Sequence, residues 1–253
     1  KPNINTEHIL IGGIIRSVID QSLEDHDFST KSCENFDEFR NSIWDFDLSR
    51  VSKETGIAQD EIQNLAKLIA ESKSTSFLYS LDTISSELKS SASTSIINLA
   101  LLTGNTDQPG AGIYPLFSGP NEQGARDIGC TPNFNPGYNH NPTSGIGLKQ
   151  LNEYVNQGDI KALHILGNQA SIGSESGKTI KSIVDKVEFL VVHESFENEF
   201  TDCADVVFPS SLFAEKDGTF TNLERRIHKV NPALGSKFDE DEDWRILCQI
   251  ALR

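Results

Sequence analysis

Two stretches of this 253-residue chain concentrate residue types that could hold a ligand. The first runs Leu101-Leu102-Thr103-Gly104-Asn105-Thr106-Asp107-Gln108-Pro109-Gly110-Ala111-Gly112-Ile113, followed by Asn121-Glu122-Gln123-Gly124-Ala125-Arg126-Asp127-Ile128-Gly129. The second runs Ala204-Asp205-Val206-Val207-Phe208-Pro209, then Phe213-Ala214-Glu215-Lys216-Asp217-Gly218-Thr219-Phe220-Thr221-Asn222-Leu223-Glu224-Arg225-Arg226. Glycine lets backbone approach a ligand closely, and Asn, Gln, Asp and Arg offer directional hydrogen bonds. Lys216, Arg225 and Arg226 form a local positive spot on a chain of net charge −15, which suits an anionic pyrophosphate. The same composition also suits a rigid loop closed by its own hydrogen bonds, and residue types alone leave both readings open.

Other candidate constellations are weaker. Gly173-Ser174-Glu175-Ser176-Gly177-Lys178-Thr179 looks like a phosphate loop, but only three residues separate its glycines. A phosphate cradle of the Walker type needs four, so a turn at the start of a helix is the better reading. The histidines show no metal-ligand spacing. His164 sits inside an apolar run and reads as a core residue, whereas His193 falls at a strand's carboxyl end, where a polar ligand contact is plausible. Cys33, Cys130, Cys203 and Cys248 stand far apart with no Cys-x-x-Cys pair, which argues for reduced thiols and against a locally wired zinc or iron–sulfur site.

The elements that must position these residues change character along the chain. Apolar residues from Ile9 to Leu23 recur at helical spacing. Residues 52–70 read as a capped amphipathic helix, 77–79 as a short strand, and 91–102 as a helix stopped by Gly104-Asn105. Between Gly104 and Gly147 lie 9 of the 18 glycines and 6 of the 9 prolines. This crowding reads as an ordered, ligand-facing crossover between two α/β domains. Beyond it, apolar runs at 162–166, 189–192 and 204–208 alternate with helical segments, implying β–α–β units and a parallel sheet. Ligands of such sheets bind beyond the strands' carboxyl ends, here Gly167-Asn168-Gln169, His193-Glu194-Ser195 and Pro209-Ser210-Ser211. The acids from Asp239 to Asp243 precede a last helix near 243–252 and read as a solvated cap that suits the helix dipole.

Composition bounds the possibilities further. With 22 Lys and Arg against 37 Asp and Glu, the chain is no bulk-electrostatic nucleic-acid binder. No apolar run approaches the roughly 20 residues of a spanning helix, and no secretory leader is visible near Lys1. The cytoplasm, or the cytoplasmic face of a membrane complex, is the expected location. The chain has no Met and begins Lys1-Pro2-Asn3, which reads as a processed product or a piece of something larger.

At the two stretches quoted first, the sequence strongly resembles the molybdopterin oxidoreductase superfamily of the dimethyl-sulfoxide-reductase type. It is similar to formate dehydrogenase alpha subunits and to the related G subunit of NADH-quinone oxidoreductase. The Lys1-Pro2 opening, the Phe36-Asp37-Glu38-Phe39 region and the closing Asp243-Trp244 helix also fall in family order. The resemblance implies an α/β fragment of a multidomain subunit, with dinucleotide-binding-like layers and a largely parallel sheet. Residues 1–118 would be the C-terminal part of one domain, mostly helical here, and 119–253 a second domain carrying the parallel sheet.

The resemblance further implies a molybdopterin guanine dinucleotide cofactor with Mo or W in the parent protein. An iron–sulfur cluster is expected only in a missing N-terminal part. By matching motif positions, the implied cofactor-binding residues are Gln123, Gly124, Asp127, Gly129, Gly167, Asn168, His193, Glu194, Lys216, Asp217, Gly218 and Asn222, with Glu194 where the family commonly has a guanine-reading Asp. No catalytic or metal-ligating residue is assigned to the chain. The implied function is cofactor-arm binding within a formate dehydrogenase-like large subunit, enzymatic in the full-length parent and inactive in isolation, with other redox subunits of an electron-transfer complex as partners. Departures exist. Phe117 stands where a formate-type arginine falls, Pro120 replaces an Asn, and Asn198-Glu199-Phe200 replaces a Thr-x-Thr. They favour an alternative, a cofactor-free structural relative within a respiratory complex.

Overall fold

The computed structural model describes all residues except 81–83, 85–87, 107, 118, 141, 144, 168–174 and 236–241, and the side chains of 175 and 176. The chain divides into two compact units, Lys1–Gly119 and Pro120–Arg253.

The first unit is built around α1 (Glu7–Asp20), whose Ile14, Ile15, Val18 and Ile19 are buried. Helices α2 (His26–Ser32) and α3 (Phe36–Ser42) lead through a 3-10 turn (Ile43–Asp45) into α4 (Leu48–Thr55) and α5 (Gln59–Glu71). The single helix expected over 52–70 is therefore two. Gly56 ends α4 with φ of +75°, a left-handed conformation that costs glycine nothing but breaks the helix. Asp25 and Asp47 cap α2 and α4 by accepting the free amides of Phe28, and of Ser49 and Arg50. Strand β1 (Ser76–Ser80), α6 (Lys89–Leu102) and β2 (Gly112–Leu116) complete the unit, with β1 and β2 parallel and Leu78 opposite Tyr114. Ile62, Ala66, Leu99 and Leu102 close the core over α1.

Asn105 explains part of the first motif. Buried to 1% exposure, it accepts the Thr75 amide at 2.6 Å and donates to the Thr103 hydroxyl at 2.8 Å, pinning the start of β1 to the end of α6. Gly104, at φ +65°, leaves no room for a Cβ beside Asp25. In these two residues the rigid-loop reading prevails, because their polar groups are consumed within the fold.

The second unit opens with α7 (Glu122–Asp127) and a small antiparallel pair, β3 (Phe134–Asn135) and β4 (Asn139–His140), joined by a 3-10 turn. After α8 (Leu148–Gln157) come β5 (Ala162–Leu166), α9 (Glu175–Val184), β6 (Phe189–Glu194), α10 (Glu199–Cys203) and β7 (Val206–Pro209). The strands lie in the order β5-β6-β7 and run parallel throughout, as the β–α–β spacing requires. A hairpin of β8 (Gly218–Thr221) and β9 (Ile227–Val230) and the final α11 (Asp243–Ala251) follow.

Strand alternation gives this sheet two unlike faces. Leu163, Ile165, Leu190 and Val192 pack with Val184 and Phe200 into the core beneath α9 and α10. His164, Val191, His193 and Phe208 point the other way. His164 is exposed, not the core residue its apolar neighbours suggested, because the two-residue period puts it on the face that α9 and α10 leave uncovered.

At Gly13, in the middle of α1, an added Cβ would lie 2.7 Å from Cγ1 of the fully buried Val51 on α4. Gly13→Val should therefore destabilise the chain by ~1–3 kcal/mol through overpacking of α1 on α4. Urea unfolding read from Trp44 fluorescence, in a Trp244→Phe background, checks it.

Candidate functional site

The carboxyl end of the middle strand β6 carries Glu194. Its side chain lies on the α10 side of the sheet and borders a 370 Å³ cleft with Ser195, Phe196, Thr201, Val207 and Pro209. Asn198, where the family motif differs, organises this corner. Its Oδ1 accepts the amides of Phe200 and Thr201, capping α10, while its Nδ2 donates to Glu194 Oε2 at 3.2 Å. Phe196 is 70% exposed beside the cleft. Glu194, Glu197 and Asp202 make the lining acidic, so it favours a ligand edge rich in hydrogen-bond donors over a bare phosphate.

His193, one residue earlier, faces the opposite side. Its side chain is 0% exposed, between the rings of His164 and Phe208 at 4.8 and 4.9 Å. Its Nδ1 lies 3.1 Å from Asp243 Oδ1, and its buried Nε2 has no partner among the described residues. The same Oδ1 accepts the Ser210 hydroxyl, and Lys216 Nζ donates to Oδ2 at 2.7 Å. Partial burial opposes the charge on Asp243, yet the hydrogen bonds from Lys216, Ser210 and His193, with the lysine's charge, outweigh it and hold the carboxyl below its ordinary range. An unmet buried acceptor such as Nε2 costs ~1–3 kcal/mol.

Two expectations are corrected here. Asp243 is no solvated cap: it is three-quarters buried and receives polar groups from β6, from the segment after β7 and from Lys216. The positive spot is also dispersed. Lys216 is neutralised by Asp243, Arg226 lies 3.5 Å from Glu224, and Arg225 stands over the Tyr138 ring at 5.9 Å. Lys216 and Arg225 thus meet partners distant in sequence, whereas Arg226 pairs with a neighbour two residues away.

A third group joins the first motif to the second. Gln123 Nε2 donates to Asp127 Oδ1 at 2.8 Å and to the Tyr138 hydroxyl at 2.9 Å, and that hydroxyl donates to the same carboxylate. Asn121 Oδ1 accepts the Thr221 amide at 2.9 Å, tying α7 to the β8–β9 hairpin across 100 residues of chain. Gly124 permits that approach, since a Cβ there would lie 2.3 Å from Asn121 Oδ1. Gly129, at φ +82°, passes so near Pro136 that a Cβ would meet its backbone nitrogen at 2.7 Å.

The remaining expected residues are distributed as follows. Gly167 turns out of β5 at φ +57° and donates its amide to the His193 carbonyl. The Asp217 amide donates to Glu242 Oε1 at 3.2 Å, the main reason the Glu242 carboxyl lies below its ordinary range. Gly218 begins the hairpin, and Asn222 closes its turn by accepting the Arg226 amide. Asn168 lies outside the described residues, as do Gly173 and Ser174. Much of the expected set thus gathers into a cleft corner at Glu194, a buried cluster at His193 and Lys216, and a group on α7 where Gln123 and Asp127 meet Tyr138. Sequence reasoning missed Tyr138, placed Ser210 only as a strand end and Asn198 only as a departure, and read Asp243 wrongly. The only local signal for Asp243 was its place in an Asp-Trp pair opening the last helix.

A parallel β–α–β–α–β sheet with a cleft beside its strand ends marks an α/β protein of dinucleotide-binding-like architecture. The chain belongs to the molybdopterin oxidoreductase family, whose model matches residues 45–253. It is 34% identical over 271 residues to a protein of Staphylococcus haemolyticus (strain JCSC1435) named "Putative formate dehydrogenase", covering 100% of this chain and 28% of the relative. A protein of the same name from Staphylococcus aureus (strain MRSA252) is 32% identical over 269 residues, covering 99% and 27%. The fold matches acetylene hydratase from Pelobacter acetylenicus with a TM-score of 0.80 at 16% identity, over 99% of this chain and 40% of that one. The chain therefore spans between a quarter and a third of the length of these curated relatives. Among the described residues no helix is long and apolar enough to cross a membrane.

Stability should rise with pH on the acid side. Asp243's folded carboxyl is more acidic than its unfolded one, so its contribution is present above the ordinary carboxylate range and is lost as pH falls through the depressed folded value. Burial and the neighbouring His193 lower His164 below its ordinary 6.5. The unfolded chain therefore takes up that proton first, and stability declines as pH drops through this region. Thermal unfolding between pH 2 and 8 checks both, with Asp243→Asn and His164→Gln each flattening its own limb.

Proposed function

We propose that this chain grips the guanine-dinucleotide arm of a molybdenum- or tungsten-pterin cofactor, as part of a formate dehydrogenase-like large subunit. The observation that carries this reading is Glu194, a carboxylate at the carboxyl end of the central parallel strand on a 370 Å³ cleft. Guanine presents a ring N–H and an amino group side by side, and a carboxylate can accept both, whereas adenine offers no such pair. The exposed Phe196 ring supplies a surface for the base. The residues thus fit the group: Glu194, oriented by Asn198, would hold the guanine. Gln123, Asp127 and the crowded turn at Gly129 would offer polar groups and close backbone to the pterin side.

When bound, the cofactor supplies the oxidation–reduction chemistry through its metal and dithiolene. This chain's own residues bind and orient: Glu194 accepts, Asn198 fixes the carboxylate, and the α7–hairpin junction holds its shape through Asn121 and Thr221. The isolated chain would show no turnover, and activity would belong to the full-length parent with its redox partner subunits, in the cytoplasm or at the cytoplasmic face of a membrane complex. Phe117 favours a second reading, a relative that keeps the fold without the cofactor, because no arginine stands there to hold a small carboxylate. Molybdenum or tungsten at stoichiometry in the full-length parent would exclude that second reading.

Calorimetry with guanosine and adenosine monophosphates tests the proposal on this chain. The guanine nucleotide should bind more tightly, and Glu194→Gln should weaken it roughly ten- to a hundredfold, since charged hydrogen bonds contribute ~1.5–3 kcal/mol. Equal affinity for both nucleotides, or no binding, would count against it.

A further inference from the structure

We propose that Asp243 is a positioning residue for the strand-end cleft, acting from the opposite face of the sheet on the ends of β6 and β7 and on the His193 ring. The use of the cleft for a nucleotide rests on the function proposed above; the positioning does not. Asp243 Oδ1 receives both His193 Nδ1 and the Ser210 hydroxyl. His193 directly precedes Glu194, and Ser210 directly follows Pro209. Glu194 and Pro209 are register partners that both border the cleft, and the Ser210 amide donates to the Glu194 carbonyl at 3.0 Å. One carboxylate therefore ties together the two residues flanking the strand pair that forms the cleft wall.

Charge decides how it does so. Lys216, 2.7 Å from Oδ2, keeps the carboxylate ionised, and an ionised carboxylate only accepts hydrogen bonds. A neutral His193 then carries its proton on Nδ1, which leaves Nε2 as a buried lone pair without a partner among the described residues. The rings of His164 and Phe208 confine the imidazole, so its tautomer is held by Asp243 and not by exchange with water. Glu242, beside Asp243, accepts the Asp217 amide, so the start of α11 holds both ends of the Lys216-Asp217 step.

The test uses the full chain labelled with 15N-histidine, with His193→Gln assigning the signal, and long-range proton–nitrogen spectra reading the tautomer. Wild type should show the Nδ1–H form. Asp243→Asn, whose side-chain amide can donate to Nδ1, should populate the Nε2–H form and speed hydrogen exchange of the Ser210 amide by about tenfold, the equivalent of ~1.4 kcal/mol. Ser210→Ala should speed exchange at position 210 with the tautomer unchanged, a combination that simple unfolding would not produce. Guanosine monophosphate affinity should fall in Asp243→Asn although Glu194 is intact. An unchanged tautomer and unchanged exchange in Asp243→Asn would overturn the proposal. If that variant does not fold, wild type showing Nε2–H, or Ser210→Ala leaving exchange unchanged, would overturn it instead. Wild type that binds no nucleotide would defeat the proposed function, while the tautomer and exchange still decide the positioning.

Discussion

The pleat of β6 places consecutive side chains on opposite faces, and the arrangement of the second unit follows from that two-residue period. Leu190 and Val192 go inward under α9 and α10, and Glu194 continues on their side into the cleft. His193 must go the other way. It lands beside Phe208 and His164, where the Asp243 carboxylate meets its Nδ1. A one-residue slip of register would exchange these roles, sending the carboxylate into the ring cluster and the imidazole into the cleft.

From that constraint the division of labour among charges becomes intelligible. An acidic chain has few cations to spare, and those in the second motif are committed within the fold: Lys216 to Asp243, Arg226 to Glu224, Arg225 to the Tyr138 ring. The cleft keeps the carboxylates of Glu194, Glu197 and Asp202 in its lining. Such a site selects donor-rich edges, and the carboxylate geometry of Glu194 depends on Asn198, which also caps α10. Departures from a family motif thus need not be losses. Asn198 provides a local hydrogen-bonding solution of its own.

The glycine-rich stretches illustrate how much of the fold local chemistry conveys. Gly104 sits at positive φ where the chain leaves α6, and its place was readable as a helix stop. The β–α–β alternation of the second unit was equally readable, because five-residue apolar runs bounded by polar segments leave few other architectures. The two-helix break at Gly56, the hairpin of β8 and β9, and the short α2 and α3 were not. The hairpin is held by a distant partner, Asn121 meeting Thr221 across 100 residues.

Sequence by itself determined the α/β class, the strand ends at His193-Glu194 and Pro209-Ser210, and the family resemblance, because periodicity, turn residues and motif order are properties of neighbouring positions. Only the tertiary structure decided which polar groups meet. It turned Asp243 from an expected solvated cap into the acceptor for three elements, moved His164 from the core to an open face, and separated His193 from Glu194. The physical reason is that burial and hydrogen-bond pairing depend on residues far apart in the chain, which strand pleat and helix docking bring together.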